Sequence, residues 1–272
     1  MPMRAQKLAV AAASALALLA LGGFLSWRQP GPSRLRSGDP VRIEVRRPRE
    51  DLILTREAGG PWLVPRQDDV AEAESVELLL GGLRSLEFGP PVASPSAGLA
   101  HGLGPADASR VRVLDEAGRP LFDGLFGRRL FGRSAYFRPT DRDAIRIATG
   151  VDPDLLLRSS AQWREPRLLP GGCAAGLEVF ARGAWRPVAD AEAARVLCSL
   201  RASHWATGTP EGLAGFDRPL LRARTPDGRG FTIGERRGAE RLARVDGRSS
   251  LLRIPAAAIE AAAADLVGSA HD

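Results

Sequence analysis

The chain has 272 residues, of which 44% are hydrophobic and 26% charged, a composition typical of a folded globular protein and not of a disordered one. Its net charge is +6, but Lys7 is the only lysine and the arginines are interspersed with acidic residues, so the charge does not indicate nucleic-acid binding. The lack of other lysines also excludes a phosphate-binding loop ending in Gly-Lys-Ser/Thr, and with it nucleotide hydrolysis by this chain.

The N-terminal residues predict a membrane anchor. Residues 8–27 are apolar, contain no charged side chain and follow Arg4 and Lys7; a run of about 18 to 20 such residues can cross a bilayer. The sequence therefore predicts a signal anchor at residues 1–28, in a single-pass protein of the inner (cytoplasmic) membrane whose bulk is extracytoplasmic. A cleaved signal peptide is the alternative, although its apolar core is normally about 7 to 15 residues long. Arginines after the run leave the orientation open.

A linker and a small sheet are predicted to follow the anchor. Residues 29–40 are rich in Pro, Gly and Ser, a composition that disfavours helices and central strands and predicts a tether. Apolar and polar residues then alternate at 41–45 and 52–56, and residues 62–64 follow a Gly-Gly-Pro turn. This pattern predicts an antiparallel meander of half-buried strands, with Trp62 as a core residue beneath it.

The next segment has the clearest helical pattern in the chain. It begins after Asp68 and Asp69, and its apolar residues recur at the spacing of one helix face. Gly81 and Gly82 lie inside this helix, where each costs about 1 kcal/mol relative to Ala, so they predict the close approach of another backbone. The apolar face consists of Val76, Leu79, Leu80, Leu83 and Leu86.

A loop and two pairs of strands are predicted to complete the first unit. Prolines and glycines break all periodicity at residues 89–105, which predicts the loop. A short helix beginning at Pro153 follows the strands, and the unit extends over residues 41–160. The four strands are predicted at 110–114, 121–125, 134–138 and 144–148.

The same order of elements is predicted a second time. Residues 161–175 form a linker, residues 176–267 a second unit, and residues 268–272 a tail. Trp185 is predicted to be a core residue, in the role of Trp62 in the first unit. The elements of the second unit are predicted at 177–180, around Trp185, and at 191–202, 221–233, 241–245, 250–254 and 256–267.

The helices of the two units agree in register. The apolar residues of the second helix follow those of the first by a constant 117 positions, and both runs end in Leu-Arg, at Leu83-Arg84 and Leu200-Arg201. We therefore predict an α+β protein with two tandem repeats, each an antiparallel sheet packed by one amphipathic helix, after an N-terminal transmembrane helix. The second apolar face consists of Ala193, Val196, Leu197 and Leu200.

Short motifs of the first unit resemble those of a known family. They follow one another in the order Leu52-Ile-Leu-Thr-Arg56, Gly60-Pro-Trp62-Leu, Leu83-Arg84-Ser-Leu86, Gly102-Leu103, Phe126-Gly127, Ala135-Tyr136 and Leu155-Leu-Leu-Arg158. In this order they resemble the domain of unknown function 4340 family over residues 42–170, with a more divergent copy at 176–266.

The resemblance implies a role but no chemistry. Members of this family combine an N-terminal anchor with repeated α+β units outside the cytoplasm, and many are thought to act as auxiliary subunits beside ABC-type export or gliding machinery. No catalytic residues are established for the family, so none is transferred to this chain. The second copy has Leu242-Ala243 in place of Ala135-Tyr136, which puts a function of Tyr136 in doubt.

No pattern in the sequence predicts a catalytic, cofactor or metal site. His101, His204 and His271 lack ligand-type neighbours at metal-binding spacing. Cys173 and Cys198 are the only cysteines. They could form a disulfide in an oxidising compartment, or Cys198 could be a small buried residue of the second helix. We therefore expect a protein that is not an enzyme and that needs no cofactor.

One predicted hairpin tip has the composition of a contact surface. Arg128, Arg129, Leu130, Phe131 and Arg133 combine basic and apolar side chains, which suit a protein partner or an anionic headgroup; the alternative is a solvated turn whose Phe131 packs onto the sheet. We expect a non-enzymatic, membrane-anchored auxiliary or assembly subunit of an envelope complex, such as an ABC-type transporter, that acts through protein contacts. The alternative function is a periplasmic binding module for a glycan or small ligand in the groove between the repeats.

Overall fold

The computed structural model describes residues 34–142, 144–181, 183–206, 214–260 and 262. The predicted membrane anchor and the C-terminal tail lie outside these residues. Within the described ranges, no helix has the length and apolar character needed to cross a bilayer. This part of the chain is a mixed α+β structure with two sheets and few helices, and neighbouring strands pair antiparallel.

The first sheet has nine strands, and the strands predicted for this unit are confirmed. The strand predicted at 121–125 is longer, spanning Pro120–Arg129 as β7, because it continues through a bulge after Phe126. The strands are β1 Arg42–Arg46, β2 Asp51–Thr55, β3 Leu63–Val64, β4 Asp69–Val70, β5 Glu87–Ala93, β6 Ser109–Leu114, β7 Pro120–Arg129, β8 Ser134–Pro139 and β9 Ile145–Thr149. Their order across the sheet is β4-β3-β2-β1-β6-β7-β8-β9-β5.

The amphipathic helix of the first unit, α1, spans Ala73–Arg84 and buries the predicted apolar face. Its start differs from the expectation: Asp69 belongs to β4, and Glu72 is the residue before the helix. The glycine prediction is confirmed for Gly82, at which a Cβ atom would lie 2.9 Å from the carbonyl oxygen of Gly150. It is wrong for Gly81, at which a Cβ would meet no atom within 4 Å.

The predicted loop at 89–105 is in part a strand. β5 includes Gly89, Pro90 and Pro91 and pairs with β9 at the edge of the sheet, with two irregularities in its register. Proline is tolerated here because an edge strand leaves part of its backbone unpaired, so the missing N–H removes no ladder hydrogen bond. Two short 3-10 turns follow, at Pro95–Ala97 and Leu99–His101.

The described end of the predicted tether lies against the first unit. The Leu35 amide donates to the carbonyl of Leu83 and the Arg36 amide to the carbonyl of Leu121, each at 3.1 Å. Leu35 is buried in the core, and Arg34 Nε donates to the carbonyl of Leu86 at 2.8 Å. Residues 34–40 therefore fix the entry of the chain beside α1 and the start of β7.

The second sheet has seven strands, and its predicted strands are also confirmed. An additional two-residue strand at His204–Trp205, β12, pairs with the last strand of the second unit in chain order. The strands are β10 Glu178–Ala181, β11 Ala184–Pro187, β12 His204–Trp205, β13 Leu221–Arg224, β14 Gly230–Arg237, β15 Glu240–Val245 and β16 Leu251–Pro255. Their order is β11-β10-β13-β14-β15-β16-β12.

Two further helices follow strands. Helix α2 spans Pro153–Leu157, as predicted, and the Asp152 side chain caps it by accepting from the Asp154 amide at 2.9 Å. Helix α3 spans Ala191–Cys198 and is shorter than the predicted 191–202. Residues 256–260 are helical, in agreement with the start of the last predicted helix.

Each sheet has its own buried apolar core, and the two tryptophans predicted to be equivalent differ. Trp62 is buried in the first core. Trp185 is only half-buried and lies on β11, where its ring contacts that of Phe180 at 5.4 Å and the guanidinium of Arg224 at 4.2 Å. The core prediction is therefore wrong for Trp185, because β11 is the edge strand of its sheet and leaves this ring half-exposed.

The segment 161–175 joins the two cores. Trp163 is fully buried in the first core, and Leu168 and Leu169 are buried in the second. The connection between the units is thus packed into both of them, and it brings the charged residues between these side chains into the interior.

Candidate functional site

The hairpin tip predicted as a contact surface lies between β7 and β8. Phe131 is 77% exposed, so the alternative in which it packs onto the sheet is wrong. Arg129 forms an ion pair with Asp154, with Nη1 at 2.6 Å from Oδ2. The Arg128 guanidinium lies 5.8 Å from the centre of the Tyr136 ring. Leu130 is half-buried, whereas Arg133 is exposed.

The sequence did not predict a second charged cluster, at the junction of the two units. Its centre is Asp69, whose side chain is completely buried. Arg164, from the connecting segment, and Arg248, from the turn between β15 and β16, are each only 4% exposed and form ion pairs with it. Trp205 Nε1, on β12, donates to Asp69 Oδ2 at 3.2 Å. We call these four residues the Asp69 junction.

Every oxygen of Asp69 has several donors. Oδ1 accepts from Arg248 Nε at 2.7 Å and from the Val70 amide at 2.8 Å. Oδ2 accepts from Arg164 Nε at 2.8 Å and Arg248 Nη2 at 3.0 Å, in addition to the indole. Burial alone would raise the pKa of Asp69, but the hydrogen bonds and charges of Arg248 and Arg164 outweigh it, and the pKa lies below its usual value. An ionised carboxylate without a free acceptor position is suited to holding structure and not to proton transfer.

Further ion pairs surround the junction. Glu72 accepts from Arg201 Nη2 at 3.1 Å and lies 3.6 Å from Arg158 Nη1. Glu165 is buried and accepts from Arg167 Nε at 2.8 Å. Arg248 also donates to the backbone carbonyl of Glu165 at 2.8 Å. The groove between the units, which the sequence predicted as a possible ligand site, is therefore occupied around Asp69 by side chains that bond to one another.

The remaining candidates are dispersed. His101 contacts the Tyr136 ring, with ring centres 4.3 Å apart, and His204 Nδ1 lies 3.3 Å from Glu240 Oε1. His271 lies outside the described residues. Among the residues that the structure describes, no three His, Cys, Asp or Glu side chains form a group that could hold a metal ion.

The two cysteines form a disulfide. Cys173 follows the connecting segment and Cys198 is the last residue of α3, with their Cα atoms 5.7 Å apart. Of the two possibilities left open by the sequence, the structure thus has the paired one. The bond ties the helix of the second unit to the chain that enters that unit.

The sequence could not have identified the junction. Arg164 and Arg248 lie 95 and 179 positions after Asp69, and an aspartate before a helical pattern is usually interpreted as a helix start. The one available signal was the stretch Trp163-Arg-Glu165, whose aromatic and charged residues are unusual in a linker. No known protein family, curated protein or solved structure matches this chain.

Proposed function

We propose that this protein is a membrane-anchored auxiliary or assembly subunit of an envelope complex, such as an ABC-type transporter, and that it acts through protein contacts and not through catalysis. The proposal combines the predicted anchor at residues 8–27 and the resemblance to the domain of unknown function 4340 family with three features of the described chain. These are the disulfide, the saturated Asp69 junction and the exposed hairpin tip.

The disulfide between Cys173 and Cys198 supports an extracytoplasmic location. Disulfides form and persist in oxidising compartments such as the bacterial periplasm and are rare in the cytosol, where thiols are kept reduced. A chain inserted with its bulk translocated would fold where this bond can form.

The attachment of residues 34–36 supports a defined orientation of the first unit. These residues bond to Leu83 and Leu121, beside the start of β7, whereas the hairpin tip follows the end of β7 at Arg129. At about 3.3 Å per residue, a ten-residue strand separates its two ends by up to about 30 Å. A chain that continues from the predicted anchor at residues 1–28 to this attachment would thus present the tip away from the membrane.

The Asp69 junction favours a protein partner over a ligand held between the units. Its carboxylate and guanidinium groups bond to one another, and desolvating them again for a glycan would leave buried charges unpaired. The protein is then best understood as two sheets held together by fixed charges, with its outer surfaces available for contacts.

The observation that carries the proposal is the exposed aromatic ring of Phe131 among arginines. Large aromatic and arginine side chains are over-represented among the residues that dominate protein interfaces. A photo-crosslinking amino acid in place of Phe131, in the full chain expressed in its native membrane, should crosslink to an integral membrane permease identified by mass spectrometry.

The control is the same amino acid in place of Glu116, an exposed residue of the turn between β6 and β7. The permease adduct should be absent there, because that turn lies at the other end of β7. An identical adduct from both positions, or none from position 131, would contradict the proposal.

We further infer that the two units are copies of one ancestral unit. β7 and β14 each contain a bulge, after Phe126 and Ile233, at a glycine. A Cβ at Gly127 would lie 2.4 Å from the carbonyl oxygen of His101, and one at Gly234 would lie 2.1 Å from that of Ala214. Gly102 and Gly215, which follow these two carbonyls in the chain, both have a φ of +69°. An experimental structure in which the strands common to residues 42–160 and 176–260 superimpose in the same order would support the duplication, and a mismatch in the order of these common strands would refute it.

A further inference from the structure

The outer face of the first sheet carries an arginine-lined cleft. Along β1, β6, β7 and β8 the residues that alternate with the core point away from α1. Between this face and the turn at Leu103–Ala108 lies an open cleft of about 350 Å³. Its lining includes Arg46, Arg47, Arg110 and Arg138 together with Leu103 and Leu125. We call this site the arginine cleft.

The register of the strands brings the guanidinium groups together. Arg46 is the partner of Arg110 across β1 and β6, and Leu125 on β7 lies between Arg110 and Arg138. Adjacent strands are about 4.8 Å apart, so the backbones of Arg110 and Arg138 are about 10 Å apart. Two arginine side chains can reach across that distance to one bound group above Leu125.

Positive charge exceeds negative charge on this face. Glu44 is shared by three arginines, with Arg42 at 2.8 Å, Arg112 at 3.2 Å and Arg46 at 3.6 Å. Asp123 accepts a two-point bond from Arg110, at 2.9 and 2.7 Å. Arg138 forms no ion pair with any residue in the described part of the chain, so its charge is not neutralised there.

Arg47 borders the arginine cleft with its guanidinium already engaged, since Nε donates to the Glu50 carbonyl at 2.9 Å and Nη1 donates to the Arg158 carbonyl. Its side chain is only 7% exposed, and its Nη2 atom is buried without a hydrogen-bond partner. The nearest carboxylate oxygen, Glu50 Oε2, lies 3.4 Å from it, which is an ion pair without a hydrogen bond.

We propose that the arginine cleft binds a phosphate-bearing ligand. A phosphate monoester carries up to two negative charges and three terminal oxygens, and it can accept bonds from several guanidinium groups at once. A carboxylate has two oxygens and one charge, and would leave more of the excess charge uncompensated. Leu103 and Leu125 supply apolar contacts for the carbon part of the ligand. The phosphate is carried by a soluble ester or by a lipid headgroup, and the proposal does not depend on the role proposed above.

The test is calorimetric titration of the full chain in non-ionic detergent with sn-glycerol 3-phosphate and with dihexanoyl phosphatidic acid. Arg138→Gln should weaken binding about tenfold, because it removes charge-assisted hydrogen bonds to the phosphate. The variant should fold, since Arg138 is half-exposed and has no ion pair, and an unchanged melting temperature would verify this. Arg186→Gln, at an exposed arginine of β11, is the matched control and should bind like the unmodified protein.

The two probes separate the sources of the phosphate. Equal affinities would assign the site to soluble phosphate esters, whereas tighter binding of the short-chain lipid would assign it to a headgroup whose acyl chains contact Leu103 and Leu125. Either result, with the selective loss in Arg138→Gln, supports the arginine cleft. Failure of both probes to bind, or equal weakening by Arg138→Gln and Arg186→Gln, would overturn the proposal.

Discussion

The amphipathic helices of the two units, α1 and α3, have different contacts at their C-terminal ends. In the first, Gly82 of α1 lies against the backbone of Gly150. In the second, the residues 117 positions after Gly81 and Gly82 are Cys198 and Ser199, and Cys198 is bonded to Cys173. Of the described residues, 25 form the buried core of the first unit, whereas 16 form the main core of the second and four more form a separate buried cluster there. A smaller core contributes less stability. At the end of its helix the second unit has a disulfide, whereas the first unit has close backbone packing at the corresponding end.

A second pair of residues 117 positions apart differs in its contacts with the other unit. Phe88 on β5 packs on Phe137, with ring centres 5.2 Å apart. The residue 117 positions later is Trp205 on β12, which packs against the second core and also donates to Asp69 of the first unit. The two edge strands thus each add an aromatic side chain to their own core, and β12 also connects the units.

The largest effect is expected from breaking this connection. Asp69→Asn keeps the shape of the side chain but leaves Arg164 and Arg248 buried without their counter-charge. Removing one member of a buried ion pair costs about 3 to 5 kcal/mol, so the urea midpoint of the full chain should fall strongly. The control is Asp154→Asn, whose ion pair with Arg129 is exposed and should contribute at most about 1 kcal/mol. Equal effects of the two variants would show that the junction does not couple the units.

The buried carboxylate of Asp69 should also make the free energy of unfolding depend on pH in the acidic range. The pKa of Asp69 in the folded protein lies below its ordinary value, whereas in the unfolded chain an aspartate has a pKa of about 3.9. The unfolded state therefore binds more protons in this range, and the stabilisation is complete above the unfolded pKa and lost as the pH falls through the folded one. Denaturation followed between pH 2 and 7 should show a loss of stability below about pH 4. This loss should be smaller in Asp69→Asn; an identical pH profile would exclude Asp69 as its source.

Reduction of the disulfide should affect the second unit selectively. For a sequence separation of 25 residues, loop-closure entropy predicts a stabilisation of about 3.5 kcal/mol. Reductant, or Cys173→Ser, should therefore lower the hydrogen-exchange protection of β13 to β16. The amides of β6 to β9 provide the internal control, because their unit contains no disulfide. A uniform loss of protection across both sheets would mean that the units do not differ in this way.

Local patterns predicted most of the fold. Alternation of apolar and polar residues located the strands, and the spacing of Val76, Leu79 and Leu83 located α1, because these periodicities follow from burial of one face. β5 escaped prediction because proline normally excludes a strand, and only its place at the sheet edge permits Pro90 and Pro91. Trp185 escaped for a related reason, since hydrophobicity does not reveal whether a second layer covers a strand.

The candidate sites were predictable only where one segment contains them. The hairpin tip from Arg128 to Arg133 is contiguous and was identified from its composition. The Asp69 junction and the arginine cleft each combine side chains from segments far apart in sequence, such as Arg46 and Arg138. Their proximity depends on strand order and register, which hydrophobic alternation does not specify.

The smallest effects should come from the two adjacent glycines, and they should have opposite signs. Gly81→Ala should stabilise α1 by about 1 kcal/mol through helix propensity, because the added Cβ meets no atom within 4 Å. Gly82→Ala gains the same propensity, but its Cβ would lie 2.9 Å from the Gly150 carbonyl oxygen and 3.1 Å from the Val151 Cα. Overpacking of this kind costs about 1 to 3 kcal/mol, and backbone atoms cannot rotate away.

Urea midpoints of the two variants are a direct measure of this contrast. Stabilisation by both would show that α1 does not need the close approach at Gly82, and the difference between the units would then lie in core size alone. A gain at Gly81 with a loss at Gly82 would show that the first unit leaves free the position that the second unit uses for its disulfide. The end of the helix would then be held by a backbone contact in the first unit and by a covalent bond in the second.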